Sequence, residues 1–259
     1  MVRSVMSSAK QATRIATTVL AVLVPIHVSA YEAGEWIVRA GVATVDPDEG
    51  SGGIQIPALA GTGAYAGGPI AGTGVDVDSD TQLGLTVTHM CTERWGVELL
   101  AATPFTHDVT ADLGSLGQVN VGETSHLPPT VSMVWYPVGS SSAFSPYVGA
   151  GINYTVFFKE SVSADLESGL SAVADAVTAT SVGLPSPVEM DMKLDDSFGL
   201  AFQVGVDAAV NTSWHLNASV RWIDIDTEAT LTSSLGETIR VDDIQIDPWV
   251  YQVNVGYRF

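Results

Sequence analysis

The chain has 259 residues, 46% of them hydrophobic and only 15% charged, and its 29 acids against 10 Lys and Arg give a net charge of −19. An acidic balance of this size excludes nucleic acid as a partner, because a phosphate backbone needs a basic surface. The single cysteine, Cys91, leaves no internal disulfide, and a chain this apolar yet this acidic points to a lipid-facing surface rather than to a soluble core alone.

Residues 1–30 read as a secretory signal. Arg3, Lys10 and Arg14 form the basic region, Ile15 to Ile26 the apolar region, and Val28-Ser29-Ala30 a small-residue cleavage site before Tyr31. Its removal takes three cations and no acids, which lowers the net charge to −22 and leaves one domain, 31–259. That domain has no apolar run of about 18 residues, so helical spans are not expected and any membrane crossing must use strands.

Eight segments alternate with period 2: Trp36 to Val45, Thr81 to Met90, Trp95 to Phe105, Pro129 to Tyr136, Pro146 to Phe158, Ser197 to Val210, Trp214 to Thr230 and Val241 to Phe259. Three connections are short, Cys91 to Arg94, Pro137 to Ser145 and Asn211 to Ser213; the other four are longer, the first and third running to roughly thirty residues. Short turns on one side and long loops on the other are the pattern of outer-membrane barrels, with both termini periplasmic. The expected fold is therefore all-β, an eight-stranded antiparallel transmembrane β-barrel with long extracellular loops and short periplasmic turns. Its place is the bacterial outer membrane, among lipid and lipopolysaccharide.

Side-chain parity supports the barrel. In the closing segment Trp249, Tyr251, Val253, Val255, Tyr257 and Phe259 share one face, with Gln252, Asn254, Gly256 and Arg258 on the other. Ending on an aromatic residue after alternating aromatics is how closing barrel strands typically end. Threading the segments up and down brings Trp36, Trp95, Trp135, Tyr147, Trp214, Tyr257 and Phe259 to the periplasmic end, and Phe105, Phe158, Phe198, Trp222 and Trp249 toward the other, as two membrane interfaces require. Outward sets are apolar, for example Val97, Leu99 and Ala101, or Phe198, Leu200, Phe202, Val204 and Val206.

The inward sets change with height. Arg39, Glu98, Asp207 and Arg258, with Arg221 somewhat higher, are expected to pair into a polar plug of the lower lumen. Leu100, Phe157, Ile223, Ile225, Ile244 and Ile246 line the upper bore, although a bulge near Trp222 would reverse part of that set. Pro104 ends one strand and Pro128-Pro129 opens its neighbour, so both lose ladder donors at a similar height; a gap there would let an apolar solute leave sideways into the membrane. The alternative is that these prolines only mark strand ends.

The connections carry weaker signals. Asp46 to Asp80 is glycine-rich without the spacing of a phosphate cradle and reads as a flexible surface loop. Leu166, Leu170, Val173 and Val177 recur at helical spacing between Ser163 and Val177, as in a short helix over the barrel mouth, with a mobile loop the alternative. Acidic stems occur at Asp76, Asp78 and Asp80, at Asp191, Asp195 and Asp196, at Asp224, Asp226 and Glu228, and at Asp242, Asp243 and Asp247. No calcium-loop spacing is present, so solvated stems are favoured over a metal site. The best catalytic grouping is His107, His126, Ser125 and Glu123, but no G-x-S-x-G motif accompanies it; neither an enzyme nor a cofactor is expected.

Several motifs in order resemble the outer membrane protein W family, which includes alkane-uptake proteins. They are E-A-G-E-W-I-V-R-A-G from Glu32, T-Q-L-G-L-T from Thr81, G-V-E-L-L-A-A-T-P-F from Gly96, H-L-P-P-T from His126 and P-Y-V-G-A-G-I-N-Y-T from Pro146, then Q-V-G-V-D from Gln203, D-I-D-T from Asp224, D-P-W-V from Asp247 and the terminal G-Y-R-F. The resemblance implies an eight-stranded barrel with a hydrophobic channel that passes small apolar molecules by passive diffusion. The long first and third loops depart from the family pattern, so substrate choice and gating stay open. The competing reading is a structural or adhesive barrel whose loops bind an external partner, and docking of bacteriocins or phage, which family members also support, stays open.

Overall fold

The computed structural model describes residues 31–48, 55–56, 68–69, 73–112, 117–138, 143–168, 189–234 and 238–259. The expected signal segment, 1–30, lies outside the described residues. Among them sixteen strands follow in chain order: β1 (Trp36–Asp46), β2 (Gln55–Ile56), β3 (Gly68–Pro69), β4 (Gly74–Val77), β5 (Asp80–Met90), β6 (Trp95–Ala102), β7 (Phe105–Asp112) and β8 (Gln118–Leu127). The second half comprises β9 (Thr130–Trp135), β10 (Phe144–Val162), β11 (Met190–Leu194), β12 (Ser197–Ala209), β13 (Trp214–Ile223), β14 (Asp226–Ser233), β15 (Thr238–Gln245) and β16 (Trp249–Arg258).

Eight of these close a ring in the order β1-β5-β6-β9-β10-β12-β13-β16, with β16 returning to β1, and every pairing is antiparallel. Closure removes both sheet edges, which suits a lipid setting where an unpaired backbone edge is costly. Parity then follows from the sequence. Along β16, Trp249, Tyr251, Val253, Val255 and Tyr257 are exposed on the outside while Val250, Gln252, Asn254 and Gly256 are buried within. On β12 the outward side chains Phe198, Leu200, Phe202 and Val204 are likewise at least half exposed. Glycine makes room inside, since a Cβ on Gly205 would collide with the Tyr147 ring, and one on Gly256 with the His215 ring.

The chain continues as sheet beyond the barrel on the long-loop side. The upper part of β10 pairs with β8, which pairs with β7 and then β4; a second sheet runs β11-β14-β15-β2-β3. These strands correct four expectations. The third segment stops at Ala102 and the chain restarts as β7 at Phe105, because Pro104 cannot donate to the ladder. The seventh and eighth segments each break, at 224–225 and 246–248, so that each yields one barrel strand and one extension strand. Within the glycine-rich first connection, β2, β3 and β4 are strand rather than loop.

Two of the expected interface aromatics turn inward: Phe105 and Tyr147 are buried. The other periplasmic-end aromatics are exposed, with Trp95 stacked on Trp135 at 5.9 Å and Trp214 edge-on to Tyr257 at 4.9 Å. Residues 164–168 form a single helical turn whose Leu166 packs on the extension's apolar core; Leu170, Val173 and Val177 lie outside the described residues.

Candidate functional site

The lower lumen is filled by an ion network fed from all around the barrel. Arg39 on β1 donates from Nε and Nη2 to the two carboxylate oxygens of Asp207 at 3.1 and 2.8 Å, and from Nη1 to Glu98 Oε2 at 3.0 Å. Glu98 also accepts from Thr88, Gln203 and, at 2.9 Å, Arg221 Nη2. Asp207 further accepts from Tyr31, Tyr136 and Asn217. Two guanidinium groups thus meet two carboxylates, and all four side chains are at least 98% buried. Burying charge is tolerable only with such pairing and hydrogen bonding; Arg39 bonds through all three guanidinium nitrogens, whereas Arg221 bonds through Nη2 and its buried Nε and Nη1 have no partner among the described residues. Arg258 stands apart from this set at the lower rim, its guanidinium 5.7 Å from the Tyr31 ring centre and its Nε donating to the Thr212 carbonyl.

Above the barrel the extension encloses a cavity of about 240 Å³. Its wall is largely aliphatic, drawn from Val109 on β7, Val121 on β8, Met192 on β11, Leu231 on β14 and Val241 on β15. Of the six residues expected in the upper bore, Phe157, Ile225, Ile244 and Ile246 line this cavity. Ile223 is buried in the apolar cluster that adjoins it without reaching the cavity surface, and Leu100 is buried on β6 outside that cluster. Sequence reasoning missed Val109, Ala111, Val119 and Val121; their signal was the period-2 spacing of Val109 with Ala111 and of Val119 with Val121 in a stretch read as loop.

Two histidines interrupt the apolar wall. His107 and His126, on neighbouring strands, approach Nε2 to Nε2 at 2.9 Å with rings stacked 4.9 Å apart. His126 also stacks on Phe105 and packs against Phe157. Its burial, and next the adjacent His107, push its pKa down to about 3. The catalytic grouping is not assembled: Ser125 turns away from the pair to meet Thr106 Oγ1 at 3.0 Å, and Glu123 is exposed.

The proline positions coincide with an interruption of the wall. Pairing between β6 and β9 ends at Leu100 with Thr130, and β7 and β8 resume it only at Phe105 with His126. Thr103 and Pro104 on one side, Pro128 and Pro129 on the other, are in neither strand. Of the eight barrel strands only β6 and β9, with 8 and 6 residues, fall short of the 9 to 11 that span a bilayer core. The acidic stems act as backbone caps where barrel passes into extension. Asp196 accepts from Phe157 N, Asp224 from Leu200 N and Asp247 from Ile225 N. The carboxylates of Asp224, Asp226 and Asp247 come within 4.8 Å of one another, but two of the three are engaged in these caps.

This architecture, a closed ring of eight antiparallel strands with an apolar outer belt, agrees with sequence and structural comparisons. The profile of the OmpW family matches residues 32–259. Outer membrane protein W of Escherichia coli is 42% identical over 231 residues, covering 89% of this chain and 91% of that protein. The crystal structure of the outer membrane protein OprG from Pseudomonas aeruginosa superposes with a TM-score of 0.72 at 39% identity, covering 88% of this chain and 97% of that one. The dibenzothiophene metabolism operon protein PahQ of Pseudomonas aeruginosa is 24% identical over 190 residues, 73% of this chain and 77% of that protein. The chain therefore belongs to the OmpW family and is an integral β-barrel of the outer membrane.

Proposed function

We propose that the protein is a passive channel for small hydrophobic molecules, which enter from the outer face, occupy the extension's cavity and leave sideways into the membrane. The observation that carries this reading is an apolar cavity of about 240 Å³ standing over a lumen filled by buried ion pairs. An apolar chamber of about 150 Å³ already holds benzene, so the volume suits a small solute. In this reading Leu100, Phe157, Ile223, Ile225, Ile244 and Ile246 form the apolar conduit. Arg39, Glu98, Asp207 and Arg221 close the periplasmic route, since carrying an apolar solute through them would strip paired charges of their partners. The interruption at Pro104, Pro128 and Pro129 is the exit, at the height where β6 and β9 are too short to complete the wall. Residues 1–30 serve as the export signal, cleaved near Ala30. The relative PahQ is named for the metabolism of dibenzothiophene, an apolar polycyclic compound, which supports the substrate class.

The test is uptake of an apolar fluorescent tracer by cells with and without the protein, whose lipopolysaccharide leaflet slows unaided entry. Faster uptake with the protein is expected. In a Cys91→Ser background, joining cysteines at positions 102 and 129 with a short bis-maleimide should return uptake to background. Equal uptake with and without the protein would favour a structural or receptor barrel, and uptake unaffected by the crosslink would remove the lateral route.

A further inference from the structure

A seam that no ladder closes runs down the extension's wall between β10 and β11. β11 leads into β12 after only two residues, Asp195 and Asp196, and β12 pairs with β10 up to Ser197 with Thr155. Continued pairing of β10 with β11 is therefore the expected course. The two strands do run side by side, yet among the described residues the upper part of β10 pairs only with β8, and β11 only with β14. The cause lies in β10. Its ladder to β8 shifts register between Phe158 and Ser161, and Lys159 takes a φ of 55°, a left-handed conformation that residues with a side chain rarely adopt. Such a bulge bends the strand and turns its edge away from the neighbour.

Carboxylates stand in for the missing ladder at both ends. Asp196, at the bottom, accepts from Phe157 N at 3.3 Å and from the Tyr154 hydroxyl at 2.9 Å. At the top Glu167 Oε1, in the helical turn above β10, accepts from Met190 N at 3.2 Å. Between them lie Phe157 and Leu166 on one flank and Met192 and Leu194 on the other, and all four line the cavity. The neighbouring Lys159, Asp191 and Lys193 are exposed and charged, whereas Ile152, Phe198 and Leu200, lower on β10 and β12, belong to the apolar belt. The seam thus lies above the hydrocarbon, in the polar layer of the lipopolysaccharide. Parting it means turning apolar side chains and releasing a few hydrogen bonds to carboxylates, not breaking a ladder.

We propose that this seam is the entry port of the channel: an apolar solute held in the lipopolysaccharide layer passes between β10 and β11, with Leu166 and Met192 as the gate and the bond from Met190 N to Glu167 as its latch. The port rests on the channel reading above and adds where the solute comes in, a place distinct from the exit at the prolines.

The test is uptake of pyrene by cells carrying the Cys91→Ser protein with Ser161→Cys and Asp191→Cys, on the two exposed flanks of the seam, joined by a bis-maleimide that has a disulfide in its arm. Locking should bring uptake to the level of cells without the protein. Reduction of the arm should restore it, a reversal that excludes misfolding as the cause. The same linker between Asp108→Cys and Glu123→Cys, directly paired and exposed on β7 and β8, should leave uptake unchanged. Glu167→Ala, which releases the latch, should speed uptake several-fold, the scale of one net hydrogen bond. An alkyl diazirine added from outside separates entry from exit: it should label cavity residues in protein crosslinked at positions 102 and 129, but not in protein locked at 161 and 191. Undiminished uptake in the seam-locked protein, an equal loss with the β7–β8 linker, cavity labelling that the seam lock leaves intact, or a Glu167→Ala rate no faster than the parent's would overturn the gated port and leave the channel standing. Uptake no faster with the parent protein than without it would overturn the channel reading and the port with it.

Discussion

Replacing Asp207 by Asn should weaken the barrel more than any substitution of similar size on its outer face. The carboxylate accepts two hydrogen bonds from Arg39 and one each from Tyr31, Tyr136 and Asn217. The carboxamide keeps the shape but loses the charge and turns one acceptor into a donor, facing groups that are themselves donors. The network then holds two guanidinium groups against Glu98 alone, a net positive charge in a lumen whose ionic side chains are at most 2% exposed. Breaking a buried pair by removing one partner costs about 3–5 kcal/mol. The assay is reversible urea unfolding in phospholipid vesicles followed by tryptophan fluorescence. The double variant Arg39→Met/Asp207→Leu, which removes the pair together, should recover a large part of that loss, a non-additivity that the double-mutant cycle reads directly. A loss below about 1 kcal/mol, or strict additivity, would mean that water solvates these charges, and the sealed-lumen argument would fail.

Other consequences follow from single side chains. Ala229→Phe projects a ring into the cavity and should bring tracer uptake close to background while the barrel's urea midpoint changes little. Val204→Arg places a charge on the outward belt, where the valine is 57% exposed, and should cost about 2–4 kcal/mol in bilayers; no cost would mean that this face does not meet hydrocarbon. For His126 the folded pKa of about 3 lies below the unfolded value of about 6.5, so the folded state rejects a proton that the unfolded chain takes. Its contribution is intact above about pH 6.5 and is lost as pH falls toward 3, amounting to about 2 kcal/mol at about pH 5. His126→Phe should remove that part of the acid sensitivity in unfolding measurements at about pH 7.5 and 5, and an unchanged pH dependence would show that the ring is solvated.

The barrel was legible because lipid on one side and a crowded lumen on the other force period 2 on every spanning strand. Phe198, Leu200 and Phe202 against Ala201 and Gln203 leave no other register. The charges of the plug could be assigned to one height from parity, but Arg258 could not be separated from Arg39, because their difference lies in which strand end each occupies. Beyond the membrane the constraint relaxes. β14 could be read only as the continuation of β13, because the buried Ile223, Ile225, Thr227, Ala229 and Leu231 keep one period-2 parity through 224–225, where no glycine or proline marks the break between barrel and extension. The cavity is assembled from Val45, Val75, Val109, Met192 and Val241, each contributed by a different strand, and such pairings cannot be read from local pattern. Likewise His107 and His126 were grouped in the sequence with Ser125, but the strand alternation that joins the two rings is the same one that turns Ser125 to the opposite face.

In the proposed channel an apolar solute resides in the cavity above the ion-filled lumen and not merely in the surrounding lipid. A medium-chain alkane bearing a diazirine, photolysed in vesicles with a lipopolysaccharide outer leaflet and mapped by mass spectrometry, tests it directly. Labelling is expected at cavity residues such as Val109, Met192 and Leu231, lost in Ala229→Phe, with none at Arg39, Glu98 or Asp207. Labelling confined to outward residues such as Leu200 and Val253, unchanged in Ala229→Phe, would contradict it.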